Sequence, residues 1–112
     1  MKAKLLIYTG QPNPVWDLSV GDREKLYDEL RMLHGTMSHL QRNGFIGYKG
    51  IEINLDTTET LTAYKGIVEI VSGSDVRRFM DFNRDFEIWL FSTSRDKIGD
   101  DVYNQLLVSE FK

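Results

Sequence analysis

Two histidines, five tyrosines and no cysteine bound the chemistry open to this 112-residue chain. Without a thiol there is no disulfide framework, thiolate nucleophile, zinc–thiolate site or iron–sulfur cluster. His34 and His39 are the usual candidates for a general base or metal ligand. They stand five residues apart, off a common helix face, with no third ligand nearby in sequence, so no metal site is expected. Asp81 and Asp85 fall on one helix face at i,i+4, with Glu87 following, but Arg84 sits among them. The set reads as a solvated, self-compensated surface. Asp96, Asp100 and Asp101 around Gly99 lack the alternating spacing and closing glutamate of a calcium loop. The chain has no Gly-x-Ser-x-Gly elbow, no Gly-x-x-x-x-Gly-Lys phosphate loop and no Gly-x-Gly-x-x-Gly fingerprint. Catalysis would therefore need a dispersed site, and the reading favours a non-enzyme without a cofactor.

Binding chemistry is better represented. In Thr9-Gly10-Gln11-Pro12-Asn13-Pro14-Val15-Trp16 each proline fixes its own φ and holds the residue before it extended. A stiff segment showing the amides of Gln11 and Asn13 beside Trp16 would bind a polar ligand or peptide with little ordering entropy lost. The competing reading is architectural: the prolines turn the chain, Asn13 bonds the local backbone, and Trp16 plugs the edge of the core.

The elements that would position these groups follow from periodicity. A first strand is expected over about 2–9, ending at Gly10. Ser19 stands three residues ahead of Asp22 like a capping box, and Leu26, Leu30, Leu33 and Met37 recur at helical spacing. They predict an amphipathic helix over about 20–34 with Gly35 as its C-cap. Tyr48-Lys49-Gly50-Ile51 is echoed by Tyr64-Lys65-Gly66-Ile67, with the polar turn 56–59 between. This pattern predicts hairpin strands over about 45–54 and 61–71, each with an internal glycine that marks a bulge or close backbone approach. A third, edge strand is expected over 76–80, after the turn 72–75. A second helix is expected over about 82–94, N-capped by Asp81, with Phe82, Phe86, Trp89 and Leu90 inward and Arg84, Asp85 and Glu87 outward. An earlier start near Asp75 is the alternative. A last helix spans about 100–109. The order predicts a single α+β domain over 1–112, a small, mainly antiparallel sheet with helices on one face.

Several of these segments resemble a small, mostly bacterial protein family of uncharacterised function. The shared pattern is [Ser/Thr]-Gly-x-Pro-Asn-Pro-x-Trp-x-Leu, here Thr9 to Leu18, then Gly47-Tyr48-Lys49-Gly50, Tyr64-Lys65-Gly66, and Asp81…Arg84 with Glu87…Trp89-Leu90. The resemblance spans most of the chain, and only the Pro-Asn-Pro loop is specific. It implies no activity, and it favours the later start of the second helix.

Charge and hydropathy set the partner classes. A net charge of -3 and a pI near 5.3 weigh against nucleic acid and anionic membrane, which need a positive field. No apolar stretch approaches the ~20 residues of a membrane span, and the apolar start at residues 5–8 is too short for a signal peptide. A cytoplasmic location is expected. A tyrosine-bearing RNA platform is disfavoured, since in each repeat Tyr and Gly share one face and Lys and Ile the other. The leading reading is a non-catalytic binding module using Gln11, Asn13 and Trp16, with Tyr48 and Tyr64 on the adjacent strands. A protein or peptide partner is favoured over a small molecule, and self-association through a strand edge is the expected route to an oligomer. The alternatives are a small-ligand protein or enzyme with a pocket between sheet and helices, and an acidic, immunity-type inhibitor of a basic partner.

Overall fold

The computed structural model describes residues 1–7, 12–40 and 47–111. In these residues the strands are β1 (Lys2–Leu5), β2 (Val15–Asp17), β3 (His34–Gly35), β4 (Ile51–Asn54), β5 (Glu59–Tyr64), β6 (Ile67–Ser72) and β7 (Asp75–Met80). The helices are α1 (Val20–Met32), α2 (Asp85–Ser92) and α3 (Asp100–Ser109). One sheet runs in the order β2-β1-β4-β5-β6-β7-β3 with antiparallel neighbours throughout. The fold is the α+β class expected from the sequence.

Register places Ala3, Leu5, Ile51, Ile53, Leu61, Ala63, Val68 and Ile70 on one sheet face, and all are buried. α2 closes that face with Phe86, Leu90 and Phe91. α3 stacks Tyr103 on Phe91 at 4.7 Å between ring centroids. α1 lays Leu26 into the same core, with Leu30 and Leu33 packed beside it. Lys4, Glu52, Thr62, Glu69 and Arg78 form a polar cross-strand row on the opposite face.

Local rules account for most boundaries. The Ser19 hydroxyl accepts from the Asp22 amide at 3.0 Å, and the Asp22 carboxylate accepts from the Ser19 amide at 3.1 Å. This is the expected capping box. At the other end Gly35 does not cap α1: Leu33 is already extended, and His34–Gly35 pair with Met80 and Phe79 of β7. Met37, expected on the apolar face of α1, lies past the helix and is 92% exposed.

The segment expected as one strand over 61–71 is two. Lys65 and Gly66, at φ 45° and 94°, make the tight turn between β5 and β6, so the second echoed glycine sits in a hairpin turn. The first lies just before its strand, which is Ile51–Asn54 and not 45–54, and makes the close approach expected: Gly50 has φ 113°, and a Cβ there would lie 2.8 Å from the Ala63 carbonyl oxygen. The first strand ends at Leu5, and Val15–Asp17, read as loop, returns as β2 along it. The earlier start of the second helix near Asp75 does not occur, since 75–80 is β7; residues 82–84 form a 3-10 turn and α2 begins at Asp85, which leaves Phe82, expected inward, 72% exposed.

Candidate functional site

The residues expected to bind are drawn inward. Trp16 is 3% exposed, and its indole N–H donates to Thr93 Oγ1 at 2.9 Å. Asn13 Oδ1 accepts from the Ile7 amide at 3.0 Å. Gln11 lies outside the described residues. Tyr48 and Tyr64 are both buried, with ring centroids 5.8 Å apart. His34 and His39 are exposed. Among the described residues no group of three or more His, Asp or Glu could hold a metal ion.

Tyr48 belongs to a cluster that no sequence motif announces. Its hydroxyl donates to Glu87 Oε2, and Glu87, expected on the outer face of its helix, is fully buried. Glu87 Oε1 accepts from the Lys65 amide at 2.7 Å and from Arg84 Nε at 3.0 Å, while a second Arg84 nitrogen reaches Oε2 at 3.0 Å. Asp81, also expected in solvent, is 4% exposed. Its two oxygens accept from the Phe86 and Glu87 amides at 2.8 and 3.0 Å, satisfying the open first turn of α2. Asn83 and Arg84 adopt left-handed φ values of 56° and 61°. The cost of such a conformation for arginine is of order 1–2 kcal/mol. The reversal swings the guanidinium back onto Glu87, and its remaining arm donates to the Glu110 carbonyl at 2.9 Å. Phe111 covers the cluster, 4.9 Å from the Arg84 guanidinium carbon and 5.4 Å from the Tyr48 ring.

The electrostatics follow from this sealing. Burial, reinforced by the neighbouring Glu87 charge, holds the Tyr48 hydroxyl far above its ordinary range, so it keeps its proton. Burial disfavours the charge on Arg84, but the hydrogen bonds and charge of Glu87 outweigh it and raise its pKa. Burial raises Asp81 against the lowering effect of its two amide donors. Among the described residues no buried side-chain polar atom lacks a partner. Four donors fill the acceptor sites of the Glu87 carboxylate, and the Tyr48 proton is held on it.

Two adjoining exposed hollows lie elsewhere. A hollow of about 470 Å³ opens between α1 and the β5–β7 end of the sheet. Leu30, Leu33, Leu55, Ile70 and Phe79 form its apolar lining, with Tyr27, Arg31, Glu59 and Arg77 as the polar members. A second hollow of about 410 Å³, bounded by Gly35, Thr36, Met37 and Arg78, shares Arg77 and Phe79 with the first. The guanidiniums are loosely held. Arg77 pairs with Glu59 at 2.9 Å, and Arg31 pairs with Asp28 through side chains about 70% exposed. The alternation of Arg77 and Phe79 in β7 was the one sequence signal that could have pointed here, because period 2 puts both on the helix-bearing face.

Comparison with protein-family models, curated proteins and solved structures finds no match to this chain.

Proposed function

We propose that the protein is a non-catalytic binding module whose site is the groove between α1 and the edge of the sheet at β7. The observation that carries this reading is the pairing of an open, apolar-lined hollow of about 470 Å³ with two exposed arginines at its rim. Ligand sites span about 300–1,000 Å³, with an apolar lining and a few polar groups that orient the ligand. Tyr48, Arg84 and Glu87 spend their bonding capacity on one another, which supports binding over catalysis at that cluster. The reading keeps the binding role suggested by the Pro-Asn-Pro loop but moves the contact surface, because Asn13 and Trp16 bond inward. It also joins the pocket-between-layers alternative. A cytoplasmic setting accords with the absence of cysteine.

The ligand class is an amphipathic anion: an apolar body against Leu30, Ile70 and Phe79, with negative charge toward Arg31 and Arg77. Surface ion pairs such as those of Arg31 and Arg77 contribute only about 0–1 kcal/mol, so an incoming carboxylate exchanges for Asp28 or Glu59 at little cost. Amide-resolved NMR titration with octanoate and with 3-phenylpropionate tests the reading. Shifts concentrated at Tyr27, Leu30, Arg77 and Phe79, and lost in Arg77→Glu, are expected. A shift map centred on residues 12–16, or no response to either anion, overturns it.

A further inference from the structure

The outer edge of β7 is only partly covered. β3 pairs with Met80 and Phe79 and stops, because after Thr36 the chain turns away, with the Thr36 hydroxyl accepting from the Ser38 amide at 3.2 Å. The Arg78 carbonyl points outward, accepting from the Thr36 amide at 3.0 Å. By the two-residue alternation of an antiparallel ladder, the N–H and C=O of Val76 point the same way. Among the described residues nothing pairs with Val76 on that side. The gap sits beside the apolar hollow shared by Met37, Arg77 and Phe79, and Val76 is 42% exposed. Among the described residues β7 therefore presents at Val76 an open backbone donor and acceptor beside an apolar groove, the arrangement that recruits an extended segment by strand addition.

Charge selects the occupant. The residues lining the two hollows include Arg31, Arg77 and Arg78 and one acid, Glu59, which pairs with Arg77; Asp28 and Glu69 pair with Arg31 and Arg78 from outside the lining, in a chain of net charge -3. We propose that the occupant is an extended acidic peptide segment, added as a strand to β7 at Val76. This inference rests on the groove reading above and names its partner. A peptide of alternating polarity fits the geometry: paired antiparallel to β7, it sends its acidic side chains to the groove side with Arg77 and its apolar ones to the opposite face with Val76.

The test uses the full chain and a capped hexapeptide of alternating valine and aspartate, titrated by calorimetry and amide-resolved NMR. Saturable binding is expected, with shifts at Val76, Arg77 and Arg78. N-methylation of the peptide backbone at its valines removes donors to the edge and should weaken binding by about tenfold or more. Replacing its aspartates by lysine should abolish binding. Val76→Pro removes the outward N–H without breaking the ladder to β6 and should weaken binding similarly; if that variant fails to fold, the N-methylated peptide tests the same bond on the unaltered protein. Binding that N-methylation leaves unchanged overturns strand addition. So does a dimer seen by sedimentation that Val76→Pro returns to monomer, which would assign the edge to a second copy. If octanoate shifts Tyr27 and Phe79 while the peptide does not bind, strand addition falls and the groove reading stands; if neither binds, both fall.

Discussion

At the scale of single residues, Glu87 is the carboxylate on which Tyr48, Arg84 and the Lys65 amide converge. Tyr48→Phe removes one donor from a buried acceptor and is expected to cost about 1–3 kcal/mol, read by chemical denaturation. It also carries a pH signature. Because the folded-state pKa of Tyr48 is raised, the unfolded chain releases this proton first, at a pH of about 10. Stability is thus intact below that pH and falls above it. Tyr48→Phe should flatten this alkaline limb, and an unchanged limb would refute the assignment. Glu87→Ala strands the half-buried Arg84 charge and should destabilise by about 3 kcal/mol or more. None of this was legible in the sequence. The spacing of Arg84 and Glu87 matches an ordinary surface pair on a helix, and what buries Glu87 is a left-handed reversal at Asn83 and Arg84 that no periodicity announces. Trp16 and Asn13 were legible as a pair of alternatives, and a 2.9 Å bond from the indole to Thr93 identifies the inward one.

Among the elements, those specified by short-range chemistry were readable and those specified by long-range pairing were not. The capping box of α1 was visible as Ser19 and Asp22, and Ser19→Ala should cost about 1 kcal/mol, measurable as a lowered denaturation midpoint. β2 was missed because Val15–Asp17 is too short to show alternation; what defines it is its register on Lys2–Lys4. The division of residues 61–71 was missed because Lys65 is an unusual residue for a left-handed turn position. Gly50 was flagged correctly as a close approach. Gly50→Ala should destabilise by about 2 kcal/mol or more, since φ is 113° and the new methyl would meet the Ala63 carbonyl at 2.8 Å. Thermal unfolding of this variant checks the point, and a midpoint equal to that of the parent would contradict it.

For the molecule as a whole, the sheet divides into a meander of local hairpins, β4 to β7, and three short strands, β1, β2 and β3, of which β1 and β3 join the meander through partners distant in sequence and β2 is held by β1. Hydrogen exchange should follow this division, with β5 and β6 amides slowest and β2 and β3 amides fastest. Uniform protection across the sheet would argue against it. Charge has its consequence at this scale too: the proposed acidic peptide should bind more weakly as salt rises, with screening on the ~10 Å scale of moderate ionic strength. The bond between Trp16 and Thr93 ties the second strand to the end of α2 and makes the chain its own optical gauge. The indole of Trp16 is dry and hydrogen-bonded, while Trp89 is partly buried with Lys25 Nζ 5.5 Å from its ring centroid, and neither lines the groove. Tryptophan emission should therefore report unfolding as a red shift yet stay nearly still when the groove fills, while the signal of Tyr27 changes. Loss of structure and occupancy of the site can be followed separately in one unlabelled sample.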